Sequence, residues 1–106
     1  MNYYVDVILP LPLKGTFTYE LSQDEFNKLE IGFRVAVSFG KRKIYTGIVN
    51  ELHNNKPESY ETKPIEFIYD DKSLVSQNQI DFWNWLSRYY FVPIGDVMKA
   101  AVPSTF

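Results

Sequence analysis

The chain has 106 residues, 45% of them hydrophobic and 17% aromatic, a composition suited to one small globular domain and not to a disordered segment. It has no cysteine, which excludes disulfides and thiolate metal sites and fits a cytoplasmic protein. The net charge is −2, with six basic and five acidic side chains in residues 1–50 and five and eight in residues 51–106, so any nucleic-acid contact must be a local patch and not a basic field.

Residues 3–9 read as a strand, with Tyr3, Val5, Val7 and Leu9 on one face. Two prolines, Pro10 and Pro12, end it and also interrupt the only apolar run near the N-terminus, which lacks the basic lead of a secretory signal. No stretch is long enough to span a membrane. After a turn at Lys14-Gly15, residues 16–19 form a short second strand. Residues 20–32 are a polar connection with one helical turn from Ser22, closed by Gly32. In residues 33–39, Phe33, Val35, Val37 and Phe39 alternate with Arg34, Ala36 and Ser38, the pattern of a half-buried strand. Gly40-Lys41-Arg42 turns the chain into a longer strand over 43–53, in which Gly47 marks a bulge or a close backbone approach. Residues 54–61 read as an exposed loop, and a further strand runs over 65–69.

The period then changes. Ser76 with Gln79 is a capping-box pattern, and Ile80, Trp83, Leu86 and Tyr90 follow at helical spacing, widened by Phe82, Trp85 and Tyr89. Pro93 stops this helix, and Asp96 is placed to cap a short one over 97–101, ended by Pro103. Five strands followed by one long and one short helix predict an α+β fold over residues 1–106. Its sheet is mainly antiparallel and partly barrel-like, and the aromatic helix covers one face.

Catalytic chemistry has little support. His53 is the single histidine and has no evident nucleophile or metal partner. Asp70 and Asp71 are adjacent, so their side chains point apart, and Gly40-Lys41 lacks the rest of a phosphate-binding loop. Two turns suggest binding instead. Residues 14–19 and residues 39–43 each combine a glycine, at least one basic side chain and an aromatic ring. Rings stack on bases without reading sequence, and bases at turns reach phosphates, which makes Lys14, Lys41, Arg42 and Lys43 candidate phosphate contacts. The same residues also serve ordinary turn geometry, core and solubility. Trp83, Trp85, Tyr89 and Tyr90 could form a stacking platform, but their spacing favours core.

Three ordered segments carry a more specific signal. They are residues 7–19 (VILPLPLKGTFTY), residues 32–41 (GFRVAVSFGK) followed by Gly47-Ile48-Val49, and residues 89–97 (YYFVPIGDV) closing with Ala100-Ala101-Val102-Pro103. Together they resemble the N-terminal DNA-binding domain of PriA-type replication-restart helicases over nearly the whole chain. The resemblance implies capture of the 3′-terminal nucleotide of the leading strand at an abandoned fork, with little base preference, in a pocket of Phe17, Thr18, Gly40 and Lys63. An aspartate is common in the family at the position where Thr18 stands here. It further implies a larger bacterial protein continuing past Phe106 into a winged-helix domain and an ATP-dependent 3′→5′ helicase. ATP, magnesium and zinc would belong to that region and no cofactor to this chain. The expected partners are forked or single-stranded DNA with a free 3′ end and, through the parent, other primosome proteins, in the cytoplasm at the nucleoid and not at a membrane. The alternative is a β-rich protein–protein interaction module using exposed aromatics and the acidic second half.

Overall fold

The computed structural model describes residues 2–41, 43–69, 72–73 and 75–102. Strands β1 (Tyr3–Ile8), β2 (Phe17–Leu21), β3 (Arg34–Ser38), β4 (Ile44–His53) and β5 (Phe67–Ile68) form one sheet in the order β2-β1-β4-β3-β5. Every pairing is antiparallel. Helix α1 (Gln23–Lys28) lies between β2 and β3, and α2 (Gln77–Tyr90) and α3 (Ile94–Ala101) follow the sheet. This is the expected α+β half-barrel. Arg42, Asp70, Asp71 and Pro103, to which the sequence assigned roles, lie outside the described residues.

The strand alternation sends side chains to two cores. Val5, Val7, Val35, Val37 and Val49 are completely buried on the inner face, together with Tyr19, Phe33 and Ile65. On the other face Ile8 and Ile48 pack against Ile80 and Trp83 of α2 and Ile94 and Met98 of α3. Each such buried side chain contributes roughly 1.5–3 kcal/mol relative to exposure.

The segment before β5 closes the half-barrel. Glu20 N–H donates to the Lys63 carbonyl (2.9 Å) on the outer edge of β2, and Glu66 N–H donates to the Ala36 carbonyl (2.8 Å) beyond β3. One short stretch therefore satisfies backbone groups at both ends of the sheet, groups that an open edge would leave unpaired. Ile65, between them, turns into the core.

Several local expectations change. Gly47 pairs regularly with Val35, and a Cβ there would lie 2.3 Å from Val7 Cγ1, so it marks a close approach and not a bulge. The irregularity is at Asn50: Asp6 opposes Glu51 while Val7 opposes Val49. Asn84 of α2 donates to the Asn50 side chain there (3.3 Å). The last strand is two residues long and not five, because Pro64 and the crossing between sheet edges use up residues 64–66. The connection before β3 holds a full short helix, opened by a Ser22–Glu25 capping box. The Ser76–Gln79 box forms as read. Asp96 is not a cap: α3 starts at Ile94 after Pro93, whose fixed φ suits a helix start, and Asp96 sits in the first turn, where its charge still favours the helix dipole. On α2 only Ile80 and Trp83 are buried. Phe82, Trp85, Tyr89 and Tyr90 are exposed, so the core reading holds for Trp83 alone of the four aromatics considered.

Candidate nucleic-acid interface

Where the two edges of the half-barrel approach each other, a cavity of about 220 Å³ remains open. Its walls are residues 17–19 of β2, residues 38–40 at the end of β3, and Tyr60, Glu61 and Lys63 of the closing segment. Phe17, Thr18, Gly40 and Lys63, nominated from three separate parts of the sequence, thus meet around one opening. Lys14, Lys41 and Lys43 are exposed and none of them lines the cavity, although Lys41 adjoins Gly40.

Local structure explains each wall. Phe17 opens β2, half-buried, with its ring edge-on to Phe39 at 4.7 Å between centroids. Gly40 takes φ +71°, a left-handed conformation that lets the chain leave β3, and Phe39 N–H donates to the Lys43 carbonyl (3.0 Å) to close the turn. Lys63 is held through its backbone carbonyl by Glu20, which leaves its side chain exposed at the rim.

The Thr18 hydroxyl is engaged by β1. The Thr18 Oγ1 hydroxyl donates to Asp6 Oδ1 (2.6 Å), and the same carboxylate oxygen accepts from His53 Nε2 (2.8 Å). Asn55 N–H donates to His53 Nδ1 (3.0 Å), so that nitrogen is an acceptor and Nε2 carries the hydrogen. His53 is accordingly a structural link between β1 and β4, with no role in the cavity. The outward N–H of Thr18 instead donates to the Tyr60 phenol oxygen (2.8 Å).

Tyr19 ties the barrel together behind the cavity, its buried hydroxyl donating to the Ser38 carbonyl (2.8 Å). Burial first, and the nearby Tyr60 second, push its pKa up to about 12, so it stays a neutral donor. The charged side chains of the lining are Lys63 and Glu61, one of each sign. Glu61 also faces Lys56 at 3.4 Å, an exposed pair that contributes little. The site offers rings, backbone groups, one cation and one carboxylate, with no nucleophile beside a base. Among the described residues no three His, Asp or Glu side chains form a metal-binding group. Nor is any helix among them long and apolar enough to cross a membrane.

Tyr60, Glu61 and Ser38 were not nominated from the sequence. Tyr19, Ser38 and Phe39 stood inside the segments that carried the resemblance, which was the available signal for them. Nothing local in residues 54–61 indicates that Tyr60 returns to β2.

The profile described as 3'DNA-binding domain (3'BD) of PriA matches residues 6–103. Among curated proteins, the chain is similar to the Replication restart protein PriA of Buchnera aphidicola subsp. Acyrthosiphon pisum, with 29% identity over 93% of this chain and 13% of that protein. The protein of the same name from Treponema pallidum is 24% identical over 98% of this chain and 16% of its own length. The one from Haemophilus influenzae is 30% identical over 93% of this chain and 13% of its own length. The chain therefore spans about an eighth to a sixth of these relatives.

Proposed function

The chain belongs to the 3′DNA-binding domain family of PriA, and from that premise we propose that it captures the free 3′ end of a DNA strand, holding the last nucleotide with little regard to its base. The observation that carries this reading is the convergence of Phe17, Thr18, Gly40 and Lys63 on one small cavity. Aromatic surface accepts any base or sugar. Gly40 leaves its backbone open to close approach. Lys63 supplies a donor and a positive charge at the rim.

The charge balance of the lining supports a hydroxyl terminus over a phosphate. With Glu61 beside Lys63, the cavity has no surplus of positive charge to hold a terminal dianion. Recognition of the end would then be steric, with room in a cavity of about 220 Å³ for a 3′ hydroxyl and not for a continuing phosphodiester. Little of the affinity would come from phosphates, so its salt dependence should be shallow.

In the whole protein, this domain would mark the leading-strand end at a stalled fork for replication restart. An ATP-dependent helicase region and other primosome proteins would act beyond it, in the bacterial cytoplasm. The alternative, a protein-interaction module, draws on one observation: Phe82, Trp85 and Tyr89 form an exposed stack on α2, away from the cavity lining. A titration separates the two. Labelled single-stranded DNA with a 3′ hydroxyl should bind clearly more tightly than the same oligonucleotide with a 3′ phosphate. Equal affinities would rule out end capture, and no binding to either would favour the alternative.

A further inference from the structure

Four aromatic residues line the cavity, and they are not equally available to a ligand. Tyr19 is 4% exposed, with its hydroxyl committed to Ser38. Phe17 and Phe39 are half-buried, packed edge to face on one another and against the inner core. Tyr60 is 40% exposed, and no ring of the described residues packs on it. Its orientation is nevertheless fixed, because its phenol oxygen accepts the Thr18 N–H.

The reason for that bond lies in the edge of β2. Thr18 and Glu20 both point their N–H groups outward. Glu20 is met by the Lys63 carbonyl, as one strand meets another. At Thr18 the closing segment has already diverged, and the Tyr60 side chain takes the place of a backbone carbonyl. The divergence creates the cavity, and the phenol spans it. A ring so placed is both anchored at its tip and open on its surface. Such a side chain loses little conformational freedom when a planar ligand meets it.

We propose that Tyr60 is the stacking wall for the base of the terminal nucleotide, and so a further ligand-binding residue of the site. This rests on the end-capture reading above. Stacking of this kind requires a base to be present and is indifferent to which base it is.

A double-mutant cycle between protein and ligand tests it. The 106-residue chain and its Tyr60→Ala and Tyr60→Phe variants are titrated with a 3′-hydroxyl oligonucleotide and with the same oligonucleotide ending in an abasic nucleotide. Tyr60→Ala should weaken binding of the intact end by about 5- to 150-fold, the range for losing one base–aromatic stack. It should change binding of the abasic end by less than about twofold, since the stack is already missing there. Tyr60→Phe, which keeps the ring, should recover most of the affinity. Tyr60→Leu fills the space without an aromatic face and should behave as alanine does, which keeps the test decidable if alanine loosens the segment. Equal weakening toward intact and abasic ends, or none toward either, overturns the proposal and leaves Tyr60 as a structural prop. A 3′-phosphate arm separates the failures: if the unsubstituted protein ignores the terminus, end capture falls and this role falls with it.

Discussion

Replacing Gly40 by alanine should separate the turn from the binding site. Gly40 has φ +71°, and a Cβ built there meets no atom of the described residues within 4 Å. In the free protein the substitution therefore costs only the left-handed conformation of a non-glycine residue, about 1–2 kcal/mol. For a domain of this size each kcal/mol lowers Tm by about 4–8 °C. Gly15 provides a matched control, because it has φ +78°, an equally open Cβ position and no place in the cavity lining. The two alanine variants should melt at similar temperatures. Their DNA affinities should differ, since the Gly40 methyl would stand where a bound nucleotide approaches the backbone. Overpacking of one methyl costs about 1–3 kcal/mol, which is about 5- to 150-fold in Kd. Thermal melting and fluorescence anisotropy with a 3′-hydroxyl oligonucleotide measure both quantities on the same samples. If Gly40→Ala and Gly15→Ala bind DNA alike, Gly40 serves the turn alone and the reasoning fails.

The remaining predictions concern the walls and the supporting fold. Lys63→Ala, removing one exposed charge-assisted contact, should weaken 3′-end binding about tenfold or more while leaving Tm nearly unchanged; unchanged affinity would remove Lys63 from the site. Phe17→Ala should also weaken binding and still give a folded domain by circular dichroism, since the ring is only half-buried; unchanged affinity would count against a ligand-packing role. Trp83→Ala should cost about 3–5 kcal/mol in urea denaturation, whereas Trp85→Ala, on the exposed side of α2, should cost only about 1 kcal/mol, from its stack with Phe82 and Tyr89. Similar losses at both positions would contradict the assignment of faces. Because the Tyr19 pKa is raised from 10.0 to about 12, the unfolded chain loses this proton before the folded one does. The stabilisation it provides should be complete below pH 10 and decline between pH 10 and about 12. Tyr19→Phe should show a smaller decline across that window, and identical slopes would argue against a buried neutral hydroxyl.

The sheet was legible wherever one face alternates. Phe33, Val35 and Val37 against Arg34 and Ser38, then Gly40, specify a strand and a turn with nothing but period and backbone freedom. The capping serines were legible for the same reason, since each box is contained in four residues. What escaped was set by long-range packing. Helical spacing showed that α2 is rich in aromatics but not which rings would be covered. The sheet reaches only Ile80 and Trp83, and Phe82, Trp85 and Tyr89 stack on one another instead. Asp96 looked like a cap from composition, yet Pro93 started the helix earlier. Thr18 was nominated by its position in the resemblance, but its hydroxyl is bonded to Asp6 across the β1–β2 pairing. Tyr60 depends on a bond across 42 residues, which no local pattern encodes.

On the end-capture reading, a strand terminus occupies the cavity between β2, the end of β3 and the closing segment. Amide chemical-shift mapping by NMR tests it residue by residue. With a short 3′-hydroxyl oligonucleotide, the largest changes should fall on Thr18, Gly40, Tyr60 and Lys63, and they should shrink when the 3′ end carries a phosphate. Changes centred on Trp85 and Tyr89 of α2, or the same pattern with both termini, would contradict the account.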